Sequence, residues 1–127
     1  MVQYVEREDR KILQARQCEV IEVHVIPHLV LRLTGDVCLE FSGRVLHTTG
    51  ARTEENPGKD LAELAEHELS SLLFSKPLSW VVFNTGNQRI VFSNHWHLAL
   101  KASLGDTWRL ELGHGRTLTY PPIREID

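Results

Sequence analysis

Alternating apolar and polar residues predict β-strands over most of the chain. Residues 20–26 alternate with period two until Pro27, which lacks the N–H that a strand ladder needs. Leu29, Leu31 and Leu33 repeat the alternation, and Gly35-Asp36 provides a turn into Val37, Leu39 and Phe41. These two runs therefore predict a β-hairpin.

One segment has the period of a helix, and we predict the main helix over residues 57–74. Asn56 suits the capping position, and Pro57 is tolerated in the first turn. Pro77 disfavours a longer helix. The apolar residues that recur at three- and four-residue steps are Leu61, Leu64, Ala65, Leu69, Leu72 and Leu73.

The C-terminal half returns to strand patterns. Residues 78–84 and 89–93 flank a turn at 85–88, and residues 95–102 and 107–112 flank Gly105-Asp106, so we predict two hairpins. A last strand is expected over residues 117–120.

The N-terminal residues 1–17 are charged and weakly periodic, which predicts a short helix or a flexible arm. The fold class is then α+β: a twisted antiparallel β-sheet, a meander either open or partly closed into a barrel, with one main helix packed on it.

Length and charge exclude several classes of protein. A chain of 127 residues fits a single domain over 1–127. The net charge of −3 is unlike the basic footprint of a nucleic-acid binder, and no apolar run approaches the length of a membrane span. With no secretory signal pattern, we expect a cytoplasmic protein without nucleic-acid or membrane partners. Cys18 and Cys38 are expected to be reduced.

Negative charge is concentrated in one segment. Residues 54–68 contain six carboxylates and one lysine, a charge of −5, whereas the rest of the chain carries +2. This charge could be a hydrated helix face, or it could dock a basic protein. We identify as the candidate partner-binding residues two in the loop before the predicted helix and five on its outward face: Glu54, Glu55, Asp60, Glu63, Glu66, His67 and Ser70.

Glu68 falls within the apolar stripe of the predicted helix. A carboxylate there would need a partner or would have a raised pKa. We expect an ion pair with an arginine of the sheet, such as Arg89 or Arg109.

Two histidines form the candidate metal pair. His95 and His97 are two residues apart on a predicted strand and would share one face. No carboxylate follows them closely, and two ligands specify a metal poorly. We therefore expect no metal and no cofactor, and keep a small metal-dependent or ligand-binding β-barrel enzyme as the alternative.

Two stretches carry a resemblance to a known family. Residues 29–35 (LVLRLTG) and the run from Ile90-Val91-Phe92 to Trp108-Arg109-Leu110 resemble a family of small β-rich bacterial domains of unknown function, some similar to immunity proteins of polymorphic toxins. The acidic-aromatic segment that such domains carry before the tryptophan is replaced here by Leu104-Gly105-Asp106-Thr107.

The small size, the mild acidity, the predicted β-rich fold and the lack of a recognisable catalytic set fit a role in binding another protein. We expect a non-enzymatic protein-binding protein, an immunity-type inhibitor that covers the basic active site of a toxin or nuclease domain. A homodimer formed through the tryptophans and a sheet edge is a further alternative.

Overall fold

The computed structural model describes residues 2–122, which form mainly antiparallel β-structure. The strands, in chain order, are β1 Gln3–Glu6, β2 Arg10–Gln14, β3 Val20–His24, β4 Leu29–Leu33, β5 Val37–Phe41, β6 Arg44–Thr49, β7 Lys59–Asp60, β8 Pro77–Phe83, β9 Gln88–Phe92, β10 Trp96–Lys101, β11 Trp108–Gly113 and β12 Arg116–Tyr120. The longest helical element within residues 2–122 is α1, Glu66–Leu69.

These strands form two sheets. The seven-stranded sheet has the order β1-β2-β8-β9-β10-β6-β7, and the five-stranded sheet has the order β12-β11-β5-β4-β3. Neighbouring strands are antiparallel throughout both sheets. The antiparallel prediction is confirmed, and neither sheet closes into a barrel.

The inward faces of the two sheets contribute to one hydrophobic cluster. Period-two alternation explains this, because every second residue of a strand points to the same side. Leu31 and Leu39 of the five-stranded sheet are fully buried, as are Ile90 and Leu98 of the seven-stranded sheet. The tryptophans of three strands, Trp80, Trp96 and Trp108, are also buried in this core.

The chain passes between the sheets at a tightly packed corner. Ser42 and Gly43 connect β5 to β6. The Ser42 N–H donates to the Thr107 carbonyl at 3.0 Å, and the Thr107 N–H donates to the Ser42 hydroxyl at 2.8 Å. A Cβ on Gly43 would lie 2.3 Å from the Lys101 carbonyl oxygen. Only glycine fits at this position without moving backbone.

A second contact joins the sheets. The Trp108 indole N–H donates to the Gly86 carbonyl at 2.7 Å, and the Trp108 ring stacks on Tyr120. Gly86 lies under the same tyrosine, since an added Cβ would be 2.6 Å from its ring. The β8–β9 turn is thereby fixed to the five-stranded sheet.

Two predicted hairpins and the last strand are confirmed, but a third hairpin is wrong. The β4–β5 and β8–β9 pairs form as expected, and β12 pairs with β11. β10 and β11 do not pair with each other: β10 lies in the seven-stranded sheet and β11 in the five-stranded one. The Gly105-Asp106 turn is therefore part of a crossing between sheets, since hairpin signals describe local chain reversal only.

The predicted helix over residues 57–74 is also wrong. Its first residues form the short strand β7, and a 3-10 helix at Leu61–Glu63, α1 and a second 3-10 helix at Ser70–Leu72 follow. Three- and four-residue spacing of leucines fits these turns as well as one helix, because only burial of the leucines is required.

The prediction of a helix or arm over residues 1–17 is wrong too. β1 and β2 form a hairpin there, and β2 pairs with β8. The edge position explains the weak apolar pattern, because an edge strand has fewer buried neighbours. No helix within residues 2–122 is long and apolar enough to cross a membrane.

Candidate partner-binding surface

The acidic segment and the turns that follow it, together residues 54–74, are anchored to the core by three leucines. Leu61, Leu69 and Leu72 of its short helical turns are buried and belong to the common hydrophobic cluster. Gly58 lies against β6, where an added Cβ would be 3.1 Å from the His47 carbonyl oxygen. The charged residues therefore project from a backbone that the core holds in place.

The Asp60 side chain has a structural role. Its carboxylate accepts from the backbone N–H of Ala62 at 3.1 Å, which caps the first 3-10 helix. The same carboxylate lies 3.2 Å from the Arg44 guanidinium. Both oxygens of Asp60 are thus engaged within the chain.

Four other carboxylates of the segment face water. Within residues 2–122, no ion pair involves Glu54, Glu55, Glu63 or Glu66, and all four side chains are exposed. We call these four residues the acidic surface.

The expectation that one helix face carries the partner-binding residues is wrong. Glu63 lies in the first 3-10 helix, Glu66 and His67 lie in α1, and Ser70 begins the second 3-10 helix. His67 and Ser70 are exposed, and the Ser70 hydroxyl donates to the His67 carbonyl at 2.6 Å. These residues lie on the surface, but they belong to three short helical turns and not to one helix.

Glu68 does not form the expected ion pair with Arg89 or Arg109. It is exposed, and its carboxylate accepts from the Ala65 N–H at 3.2 Å at the start of α1. Arg109 lies 3.2 Å from Glu111 instead. The prediction assumed a long helix that would bury Glu68; a single turn leaves it at a helix N-terminus, where a carboxylate is favourable.

A half-buried histidine lies beneath the segment. The His47 ring on β6 packs 4.0 Å from the Trp96 ring, and its Nε2 has no hydrogen-bond partner within residues 2–122. Burial lowers the pKa of His47, the nearby Glu68 raises it and Lys59 lowers it further. Alternation with buried Val45 predicts that the His47 side chain is on the inward side of β6, and this is the sequence signal that points to it.

Phe74 is an exposed aromatic residue at the end of the segment. It is 72% exposed and has φ +69°, a left-handed conformation that is costly for a residue with a Cβ. Its N–H donates to the Val20 carbonyl at 2.7 Å, which attaches it to the edge strand β3 beside exposed Ile21. The sequence pattern predicts Phe74 as the last residue of the helix and does not indicate that its side chain is exposed.

The two histidines of the candidate metal pair do not lie on one strand. His95 is in the β9–β10 turn with φ +71°, and only His97 belongs to β10. The part of the chain from residue 2 to residue 122 contains no group of three His, Cys, Asp or Glu residues that could hold a metal ion.

Both cysteines are free thiols, as expected. Cys18 is buried in the connection between β2 and β3, and Cys38 is half-buried on β5. Burial is the main cause that raises the pKa of each thiol.

Comparisons of this chain with protein families, with curated proteins and with solved structures give no match.

Proposed function

We propose that this chain is a non-catalytic protein-binding protein that inhibits a basic partner, as an immunity protein inhibits a toxin or nuclease domain. One observation supports this proposal above all. The core holds residues 54–74 in place, and this stretch presents the four carboxylates of the acidic surface and ends at the exposed Phe74. Such a segment offers a basic partner both attraction at a distance and apolar contact at short range.

The acidic surface and Phe74 would have different roles in binding. The acidic surface would accelerate the encounter with a basic active site, and the rate would fall as salt screens the charges. Phe74 would supply apolar area in the complex, where an aromatic anchor contributes more than rim charges. Because Leu61, Leu69 and Leu72 already fix the backbone, little ordering would be required on binding.

The exposed and strained Phe74 also favours this proposal over a hydrated acidic face. A left-handed conformation costs about 1–2 kcal/mol for a residue other than glycine. Exposure of a large apolar side chain adds to that cost, and neither is needed for a merely hydrated surface. Binding would recover part of it by removing the ring from water.

The product of the adjacent gene is the partner to test. It should co-purify with this chain, and its toxic or nuclease activity should disappear on mixing. Phe74→Ala should raise the Kd about tenfold or more. Glu63→Gln with Glu66→Gln should slow association mainly at low salt.

Two matched controls distinguish loss of these contacts from the general effect of removing an exposed apolar side chain or an exposed carboxylate. Leu104→Ala removes another fully exposed apolar side chain, and Glu40→Gln removes an exposed carboxylate on β5. Neither should change the Kd. The proposal fails if the neighbouring product neither binds nor is inhibited, or if the control variants weaken binding as much as Phe74→Ala.

A further inference from the structure

The outward face of the seven-stranded sheet contains a concave site of about 470 Å³. Two rows of residues cross three strands there: Arg89, Ala99 and Leu46 lie opposite one another, as do Val91, His97 and Thr48. Their strand neighbours Ile90, Leu98 and Val45 are buried in the core, so alternation directs the two rows outward.

The concavity is lined by apolar residues together with Thr48, Ser79 and His97, and three basic residues also border it. Leu46, Val91 and Ala99 line the floor. Arg89 and Lys101 stand on β9 and β10, and Arg52 approaches from the loop after β6. We call this site the cationic hollow. Its volume lies within the range of about 300–1,000 Å³ that is typical of small-molecule sites.

Within residues 2–122, the three rim cations take part in no ion pair. Among residues 2–122, no carboxylate oxygen lies within 4.0 Å of Arg52, Arg89 or Lys101. Asp60, on the neighbouring strand β7, is engaged by Arg44 and by the Ala62 N–H. Glu8 and Asp9 line an adjoining concavity with Arg89 and Lys101, and Asp9 is paired with Arg10. Three like charges around one concavity repel one another, and an anion placed between them would relieve that repulsion.

We propose that the cationic hollow binds a small amphiphilic anion. Its phosphate or carboxylate group would contact the rim, where the guanidinium groups of Arg52 and Arg89 can donate in pairs. Its aliphatic body would cover Leu46, Val91 and Ala99. The concave shape favours a free molecule over the flat surface of a bilayer. This site is separate from the acidic surface and does not depend on the proposed inhibitor function.

Calorimetry with octyl phosphate, below its micelle concentration, tests the proposal on the full chain. We expect saturable binding of one molecule per chain. Inorganic phosphate lacks the aliphatic body and octanol lacks the charge, so each should bind at least about tenfold more weakly. Equal binding of inorganic phosphate would overturn the proposal, because the floor would then contribute nothing.

Variants assign the binding to this site. Arg89→Gln and Lys101→Gln should each weaken octyl phosphate binding about tenfold. Ala99→Leu fills the floor while keeping every charge, and should weaken it similarly. Arg32→Gln, the same change on the other sheet, should have no effect. Near-ultraviolet circular dichroism of the buried tryptophans verifies that each variant is folded.

Two results contradict the proposal directly. One is unchanged affinity in Arg89→Gln, Lys101→Gln and Ala99→Leu, which would place the ligand elsewhere. The other is binding to vesicles that contain phosphatidylglycerol without binding to octyl phosphate, which would identify a membrane surface as the partner in place of a free anion.

Discussion

Charged side chains on the outward faces of the two sheets differ in how they are paired. On the five-stranded sheet, Glu22 pairs with Arg32 across β3 and β4 and is hydrogen-bonded by His24, and Arg109 lies 3.2 Å from Glu111. The hydrogen bond from His24 is the main cause that lowers the pKa of Glu22. On the seven-stranded sheet, Lys11 pairs with Glu6 and Arg44 with Asp60, but the rim cations of the hollow form no ion pair within residues 2–122.

The sheets differ on their inward sides as well. The five-stranded sheet contributes mainly aliphatic residues to the core, and the seven-stranded sheet adds the buried amide of Gln88. Gln88 Oε1 accepts from the Trp80 indole N–H at 2.8 Å, and its Nε2 has no partner within residues 2–122. The Gln88 amide is thus incompletely paired within residues 2–122, in the sheet that also carries the cationic hollow.

The largest expected effect comes from breaking the corner that joins the two sheets. Gly43→Ala should destabilise the protein by about 3 kcal/mol, because the Cβ would meet the Lys101 carbonyl oxygen and backbone would have to move. Gly105→Ala is the control on the neighbouring crossing, where nothing lies within 4 Å of an added Cβ. Its positive φ alone should cost about 1 kcal/mol. Urea unfolding measures both, and equal losses would show that the corner tolerates movement.

The next effect concerns the polar pair inside the seven-stranded sheet. Trp80→Phe should cost about 2 kcal/mol, because it removes a buried donor and leaves Gln88 without a partner. Gln88→Leu should cost about 1–3 kcal/mol by leaving the indole N–H unpaired. The double variant should be more stable than the sum of these losses predicts, by about 1 kcal/mol. Strict additivity in urea unfolding would show that this hydrogen bond contributes no coupling.

A smaller effect is expected from pH. Burial lowers the pKa of His47 in the folded chain, so the unfolded chain binds the extra proton first as the pH falls through about 6.5. Stability should therefore decline from pH 7.5 to pH 5, and His47→Leu should flatten that decline. His114→Asn, at an exposed turn residue, should leave the slope unchanged. An identical slope in His47→Leu and the natural chain would contradict the assignment.

The smallest effect compares the two outward faces directly. Arg32→Gln removes a paired cation, so it should lower the melting temperature slightly at low salt and not at high salt. Arg89→Gln removes a cation that forms no ion pair within residues 2–122, and we expect no loss at either salt concentration. Thermal unfolding at two ionic strengths measures the difference. A larger loss in Arg89→Gln would mean that this arginine has a structural role.

Turn chemistry and alternation determined a substantial part of the fold. Gly35-Asp36 and the turn at 85–88 define their hairpins correctly, because chain reversal depends on the residues in the turn itself. The buried positions of β4, β5, β9 and β10 follow period two, and the tryptophans are buried as strand residues of a small core. The negative charge of residues 54–68 was also evident, since it is a property of composition.

The tertiary structure decided the rest. Sequence periodicity does not distinguish one helix from several short turns that bury the same leucines, so the path of residues 57–74 and the position of Glu68 depended on packing. The division of β10 and β11 between two sheets depends on the corner at Gly43, a contact between residues that are distant in sequence. Arg52, Arg89 and Lys101 come together only when β9, β10 and the loop after β6 are adjacent, and no local pattern contains that information.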